Sequence, residues 1–219
     1  EKNVIEKEVH DIQECVSFRD KQTVIWINVD GIHRVDILEK LTSCYNIHHL
    51  VLEDILNINQ RPKIEDFGDY VYIAAKMLTM DGAKDDVVDE QVSIILGKNF
   101  LISFQEERLG DVFDGIRQRI RSGKGRIRRM GPDYLAYALL DAIVDSYFMI
   151  LEKTGESIEA LEETMVAKPD PSVLQTVNKL KRRLIFLRKS VWPLREVVHG
   201  LTQTESALLS DNAAVYYRD

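Results

Sequence analysis

The chain has 219 residues, of which 45% are hydrophobic, and carries a formal net charge of -7 at pH 7. This length suits one large domain, or one domain with an appendage, and allows a proper core. The acidic balance argues against a general nucleic-acid-binding protein, which would present a basic face. Cys15 and Cys44 have no CxxC motif or histidine pair beside them, so neither a zinc site nor a disulfide framework is predicted.

The first part of the chain predicts strands and helices in alternation. We expect a strand over residues 4–9, a short helix over 12–18, a strand over 23–29 and a helix over 36–45. Further strands are predicted over 69–80, 87–96 and 100–105, joined by turns at Asp81-Gly82 and Gly97-Lys98-Asn99. The predicted fold class is therefore α/β, a mixed β-sheet flanked by helices.

Residues 49–77 combine a short helix, a turn and a strand. Apolar residues recur there at helical spacing: Val51, Leu52, Ile55 and Leu56. That spacing leaves Glu53 and Asp54 on or beside the solvent face of the helix. Pro62 disfavours helix at Arg61 and favours extended structure after the turn. An exposed acidic residue is usually a solvated charge, so this pair alone does not indicate a site.

Long helices are predicted from Gly110 onward. One covers residues 111–121, another 134–167, and Pro169 and Pro171 end the second. Residues 172–219 are predicted to begin a coiled-coil-like stalk helix, kinked at Pro193. Its apolar seam is Val177, Leu180, Leu184, Leu187, Val191, Leu194, Val198 and Leu201. We accordingly divide the chain into a sheet region, 1–109, and a helical region, 110–219.

Two further groups of charged residues have open interpretations. Asp141 and Asp145 lie four residues apart, on one side of a helix, and either share a cation or pair with arginine. The basic stretch over residues 117–129 lacks interleaved aromatic residues and a phosphate-binding loop, so we expect a solvated surface or neutralisation of nearby acids. No GxSxG or HExxH motif occurs, and we predict that the chain is not an enzyme.

Several strings in order along the chain resemble the CorA family of magnesium channels. They are TVIWINVDGIHR, residues 49–77, EQVSIILGKNFLISFQE, GDVFDGIRQRIR, DYLAYALLDAIVDSYF, LKRRLIFLRKSVWPLREVV and YYRD. The resemblance implies a homopentameric conduit for Mg2+, and in many members also for Co2+ and Ni2+, that performs no hydrolysis. The family's membrane helices and Gly-Met-Asn loop are not in this sequence, and no run of about 18 apolar residues occurs. We expect a cytoplasmic domain of a cell-membrane protein, attached through segments beyond residue 219.

The resemblance also implies metal-binding residues at the contact between subunits. The family's main regulatory aspartate corresponds to Asp54, with Glu53 beside it, and its partner from the adjacent subunit corresponds to Asp219. A second site corresponds to Glu53, Asp141 and Asp219. The expected ion is Mg2+, which prefers oxygen ligands, with Co2+ or Ca2+ as substitutes. Binding would close the pore when internal Mg2+ is high.

Two alternatives remain open at this point. One is the zinc-transporting branch of the same superfamily, since the residues that select the ion belong to the membrane part. The other is a free cytosolic α/β enzyme with a helical appendage, which would require a polar constellation in a cleft.

Overall fold

The sheet has five strands in the order β1-β5-β4-β3-β2. The computed structural model describes residues 3–9, 11–19, 21, 23–83, 85–106, 110–167, 172–203 and 206–218. The strands are β1 Ile25–Asp30, β2 Lys63–Asp66, β3 Tyr70–Asp81, β4 Asp86–Gly97 and β5 Phe100–Gln105. β1 pairs parallel to β5, and the other neighbours are antiparallel. The mixed sheet and both hairpins are confirmed.

Two differences from the predicted strands concern the edges of the sheet. Residues 4–9 form no strand, and Ile5, 79% exposed, has no layer to cover it. β2 was missed because Lys63–Asp66 is short and charged. Its Ile64 pairs with Ile73 of β3, so the neighbouring strand supplies the stability that its own composition lacks.

Seven helices lie in the described part of the chain. They are α1 Ile12–Val16, α2 Val35–Cys44, α3 His49–Leu56, α4 Asp114–Ser122, α5 Pro132–Ala167, α6 Ser172–Gln203 and α7 Asp211–Tyr217. The predicted break at Pro169 and Pro171 lies outside the described residues, between α5 and α6. Gly123 ends α4 in the left-handed conformation at φ 69°, where glycine is favoured.

Helices cover both faces of the sheet, and successive residues of β3 contribute to opposite cores. Tyr72 and Ala74 belong to the core beneath α2 and α3. Val71 and Ile73 belong to the core shared with α4 to α7. This alternation is the two-residue period of a strand with both faces buried. It explains why β3 lacks the alternation of polar and apolar residues that marks a half-exposed strand.

The prediction of one helix over residues 172–219 is wrong. α6 continues through Pro193 and ends at Gln203, and a separate helix, α7, begins at Asp211. Ser210 caps α7, since its hydroxyl accepts a hydrogen bond from the amide of Ala213 at 3.3 Å. The last apolar residue of the seam, Leu201, lies two residues before the end of α6. The division of the chain at residue 110 stays a prediction.

The heptad seam of α6 is divided lengthwise into a buried and an exposed row. The buried row is Leu180, Leu187, Leu194 and Leu201. The other row is only partly covered, and Val177, Leu184 and Val191 are 41%, 46% and 44% exposed. α5 and the sheet therefore cover one of the two rows that a coiled coil would bury.

Within the described residues, one stretch, Pro132–Met165, is long and apolar enough to cross a membrane by length and composition. Buried core helices meet the same criterion. Here 56% of its most apolar window is buried inside the fold, and Leu139 and Ile143 are fully enclosed in the core. We therefore assign α5 as the central helix of this domain.

Candidate metal centre

Packing of α3 determines where the two adjacent carboxylates lie. Val51 and Ile55 are fully buried in the core beneath α2 and α3. Glu53 is consequently exposed to solvent, and Asp54 lies at the border between the core and the surface. The helix begins after His48, whose Nδ1 accepts a hydrogen bond from the amide of Leu50 at 3.3 Å. The predicted helix and the exposure of Glu53 are confirmed.

Asp54 is held by residues that follow it in the turn and in β2. Its side chain is 18% exposed, and the Lys63 ammonium lies 2.6 Å from Oδ2. The side-chain amide of Gln60 donates to Oδ1. The backbone carbonyl of Asp54 accepts a hydrogen bond from Gln91 of β4 at 3.1 Å. Asp54 is therefore a fixed carboxylate whose two oxygens are both contacted within the chain.

Lys63 bridges two acids at the edge of the sheet. Its ammonium also contacts Glu65 Oε1 at 2.8 Å and lies 5.6 Å from the centre of the Tyr72 ring. Burial acts to lower the pKa of Lys63, but the hydrogen bonds to Asp54 and Glu65 outweigh it, and the pKa lies above its ordinary value. Lys63 is therefore the charge that balances Asp54 in this structure.

Asp141 lies on α5, in the half of that helix that packs against the sheet. It is half-buried and engaged in an interaction, whereas Asp145, one turn later, is exposed. Whether the two acids share a cation or pair with arginine stays open. Asp219 lies outside the described residues. Among the residues that the structure describes, no three His, Cys, Asp or Glu side chains gather closely enough to hold a metal ion.

The donor chemistry nevertheless fits a hard divalent cation. Glu53 and Asp54 present carboxylate oxygens, the ligands that Mg2+ prefers, and a weakly bound Mg2+ keeps several of its waters. The described residues of one chain gather too few such oxygens to surround the ion by themselves.

Sequence analysis missed the residues that hold Asp54. Gln60 and Lys63 follow Asp54 by six and nine residues, and the turn after α3 returns both side chains to the carboxylate. The available signal was the basic Arg61 and Lys63 between two pairs of acids, Glu53-Asp54 and Glu65-Asp66. It was not used because β2 was not predicted, and without that strand Lys63 has no defined position.

A second missed residue, Asp133, secures α7 to the start of α5. It is 4% exposed, and its Oδ2 accepts hydrogen bonds from the amide of Ser210 at 3.0 Å and from the Ser210 hydroxyl at 2.6 Å. The Tyr217 hydroxyl donates to the Asp133 carbonyl at 2.9 Å. Burial of the phenol raises the pKa of Tyr217. Both ends of α7 are thus attached to one buried residue.

Two residues of the basic stretch neutralise nearby acids. Arg117 contacts Asp111 and Asp114, and Arg121 pairs with Glu6 at 2.6 Å. Arg126 instead donates to the Tyr216 hydroxyl at 2.6 Å. The stretch thus combines acid pairing at Arg117 and Arg121 with contacts to neutral groups.

The fold resembles those of two solved domains. The structure aligns with the soluble domain of CorA from Methanocaldococcus jannaschii at a TM-score of 0.76 and 22% identity, covering 89% of this chain and 76% of that one. It also aligns with the cytoplasmic domain of ZntB from Vibrio parahaemolyticus at a TM-score of 0.70 and 17% identity, covering 88% of this chain and 74% of that one. At such low identity these likenesses show the fold alone.

The sequence identifies the family. The chain belongs to the CorA-like Mg2+ transporter proteins, whose family model matches residues 21–219. It is 46% identical over 209 residues to the cobalt/magnesium transport protein CorA of Thermotoga maritima, covering 95% of this chain and 59% of that protein. The resemblance found in the sequence is thereby confirmed. Because the family consists of ion transporters, the prediction that the chain is not an enzyme is confirmed as well.

Proposed function

We propose that this chain is the cytoplasmic regulatory domain of a CorA-like channel for Mg2+, with Co2+ and Ni2+ as further permeant ions. The whole protein lies in the cell membrane as a homopentamer, and this domain faces the cytoplasm. The observation that carries the proposal is the 46% identity to a cobalt/magnesium transporter over nearly the full chain. The chain spans 59% of that relative's length.

The proposed regulatory sites lie between neighbouring subunits. One consists of Asp54 from one subunit and Asp219 from the next, and the other consists of Glu53, Asp141 and Asp219. The distribution of acids within the chain supports this, because its described residues gather no complete ligand set alone. Carboxylates from two subunits repel each other until an ion joins them. The ion therefore favours the closed packing by binding it more tightly than the open one.

Binding is tested by thermal melts of the full-length protein, in which neighbouring subunits are present, in millimolar Mg2+, in EDTA and in NaCl of matched ionic strength. A ligand that binds the native state raises its apparent stability by mass action. We expect a higher melting temperature in Mg2+ than in NaCl for the wild type and for Glu39→Ala, which removes an exposed acid of α2. Asp54→Ala should lose the difference. A wild-type response equal to that in NaCl would contradict a specific site.

Regulation is tested in the full-length protein. We expect Asp54→Ala to require more internal Mg2+ for closure, measured as current or as Mg2+ uptake, because every subunit contact loses a ligand at once. Identical inhibition curves for mutant and wild type would remove Asp54 from the sensor.

A zinc-transporting protein is the second candidate, favoured by the likeness to the ZntB cytoplasmic domain at a TM-score of 0.70. Uptake of Zn2+ and Mg2+ by the full-length protein, measured side by side, separates the two. Zn2+ uptake without Mg2+ uptake would decide for the zinc branch.

A further inference from the structure

We infer that Lys63 competes with the divalent cation for Asp54 and so sets the Mg2+ concentration at which the regulatory site fills. The inference rests on the proposed function of Asp54 as a cation ligand. It assigns to Lys63 the role of a resident positive charge that the metal displaces, rather than that of a ligand.

The geometry places the lysine where a cation would bind. The Lys63 ammonium lies 2.6 Å from Asp54 Oδ2, a close charge-assisted contact. An ammonium and a metal ion cannot both lie against the same carboxylate without repelling each other. The Asp54 side chain is only 18% exposed, so solvent screens that repulsion less than at an open surface. A cation that binds Asp54 must therefore weaken or replace the contact with Lys63.

The other contact of the carboxylate need not be lost. Gln60 donates a neutral hydrogen bond to Oδ1. Each carboxylate oxygen has about two acceptor positions, so an amide and a metal-bound water are compatible on one oxygen. Gln60 thus keeps Asp54 oriented while the charge beside it changes.

Lys63 has a second acceptor when it leaves Asp54. Glu65 Oε1 lies 2.8 Å from the same ammonium, and the Lys63 side chain is 29% exposed. Moving away from Asp54 therefore leaves the ammonium paired and partly hydrated, and exposes no buried bare charge. The two arrangements of Lys63 are therefore close in free energy, as a site that fills and empties with changing Mg2+ concentration requires. A lysine enclosed on all sides would instead block the metal.

The test is a Mg2+ titration of the melting temperature of the full-length protein as wild type, Lys63→Met and Lys40→Met, at constant ionic strength. Methionine keeps most of the lysine's length without its charge, and Lys40 is an exposed lysine on α2 whose loss changes net charge equally. We expect Lys63→Met to lower the midpoint concentration of Mg2+ about two- to fivefold, the range of a partly exposed ion pair. Lys40→Met should leave it near the wild-type value.

Glu65→Gln supplies an independent test that keeps Lys63 in place. Removing the second acceptor leaves Asp54 as the only acid contacting the ammonium in the described structure, so the midpoint should rise. A Lys63→Met midpoint equal to that of Lys40→Met, or higher than that of the wild type, would overturn the competition. So would a fall in the midpoint of Glu65→Gln.

The wild-type and Asp54→Ala titrations distinguish this failure from failure of the proposed function. If Mg2+ raises the melting temperature of the wild type but not that of Asp54→Ala, the proposed metal site is supported whatever midpoint Lys63→Met gives. If the wild type responds no more to Mg2+ than to NaCl, both the site and the role of Lys63 are wrong.

Discussion

Arg183 of α6 reaches across the domain to Asp85, at the turn between β3 and β4. Its Nη2 lies 2.7 Å from the Asp85 carboxylate and 2.5 Å from the Asp85 carbonyl, and the arginine side chain is 2% exposed. Nη1 contacts the Ser157 hydroxyl of α5 at 3.2 Å. One guanidinium thus joins the distal end of the longest hairpin to both long helices.

The neighbouring arginine provides a matched comparison. Arg182 is 59% exposed and lies 3.9 Å from Asp86. We expect Arg183→Ala to lower the free energy of unfolding by about 2–3 kcal/mol, through lost packing and lost charged hydrogen bonds. Arg182→Ala should change it by less than about 0.5 kcal/mol. Urea denaturation of both variants measures the difference, and equal losses would contradict a special role for Arg183.

The divided seam of α6 predicts very different losses of stability for substitutions at two leucines three residues apart. Leu187 is 4% exposed and Leu184 is 46% exposed. Leu187→Ala should cost about 2–5 kcal/mol of stability, the usual range for a buried leucine. Leu184→Ala should cost less than about 0.5 kcal/mol in the monomer. Denaturation at protein concentrations shown by sedimentation to be monomeric is the measurement. A large loss of stability for Leu184→Ala under those monomeric conditions would contradict the exposure of this row of the seam.

Asp133 should control whether α7 stays docked. Asp133→Ala removes the acceptor of both Ser210 hydrogen bonds from a nearly inaccessible position, and we expect faster amide hydrogen exchange in α7, especially at Ala213 and Ala214. Ser210→Ala keeps the backbone hydrogen bond to Asp133 but loses both the hydroxyl contact and the cap on the Ala213 amide. It should therefore also speed exchange at Ala213. Unchanged exchange in Asp133→Ala would show that the apolar contacts of Tyr217 suffice.

Acid sensitivity should depend on Asp111. Burial acts to raise the pKa of this carboxyl, but hydrogen bonds from Arg117, the Phe113 amide and Gln105 outweigh it, and the pKa lies below the ordinary value. A carboxyl with a lowered folded-state pKa contributes stability above its unfolded pKa of about 3.9 and loses it as pH falls through the folded-state value. We expect Asp111→Asn to cost about 2 kcal/mol at pH 7 and to reduce the loss of stability between pH 5 and pH 2.

The control for that experiment is Asp114→Asn. Asp114 also contacts Arg117, at 3.0 Å, but its side chain is 82% exposed. Unfolding free energies from pH 7 to pH 2 should show that this variant keeps most of the wild-type dependence. If the free energy of unfolding of Asp111→Asn depended on pH as that of the wild type does, the ion pair of Asp111 with Arg117 would not be the cause of the acid sensitivity.

The two acids of α3 should differ in stability as well as in cation binding. Asp54→Ala removes the acceptor of Gln60 and Lys63, and we expect a loss of about 1 kcal/mol in the absence of divalent cations. Glu53→Ala should be nearly neutral because its side chain is exposed. Thermal melts in EDTA provide the values. An Asp54→Ala variant as stable as Glu53→Ala would mean that the ion pair with Lys63 contributes nothing to folding.

Local patterns were sufficient for most of the elements. The helical spacing of Val51 and Ile55 predicted α3 because a short helix beside a core must turn its apolar side inward. The turns at Gly82 and Gly97 predicted the hairpins because each joins two β-rich runs over a few residues. The proposed metal ligands came from resemblance to a family, and no local pattern distinguished Glu53 or Asp54 from solvated acids.

Only the tertiary structure decided features that depend on a distant partner. β2 exists because β3 offers it an edge, whereas the more apolar residues 4–9 have no such edge and form no strand. The start of α7 depends on a buried aspartate, Asp133, 77 residues before Ser210. Likewise, the contact of Asp54 with Lys63 requires the turn and β2 together. The sequence alone determined most of the helices and strands, because propensity and periodicity act over one or two turns. Charge pairing and the ends of elements depended on which surfaces folding brought together.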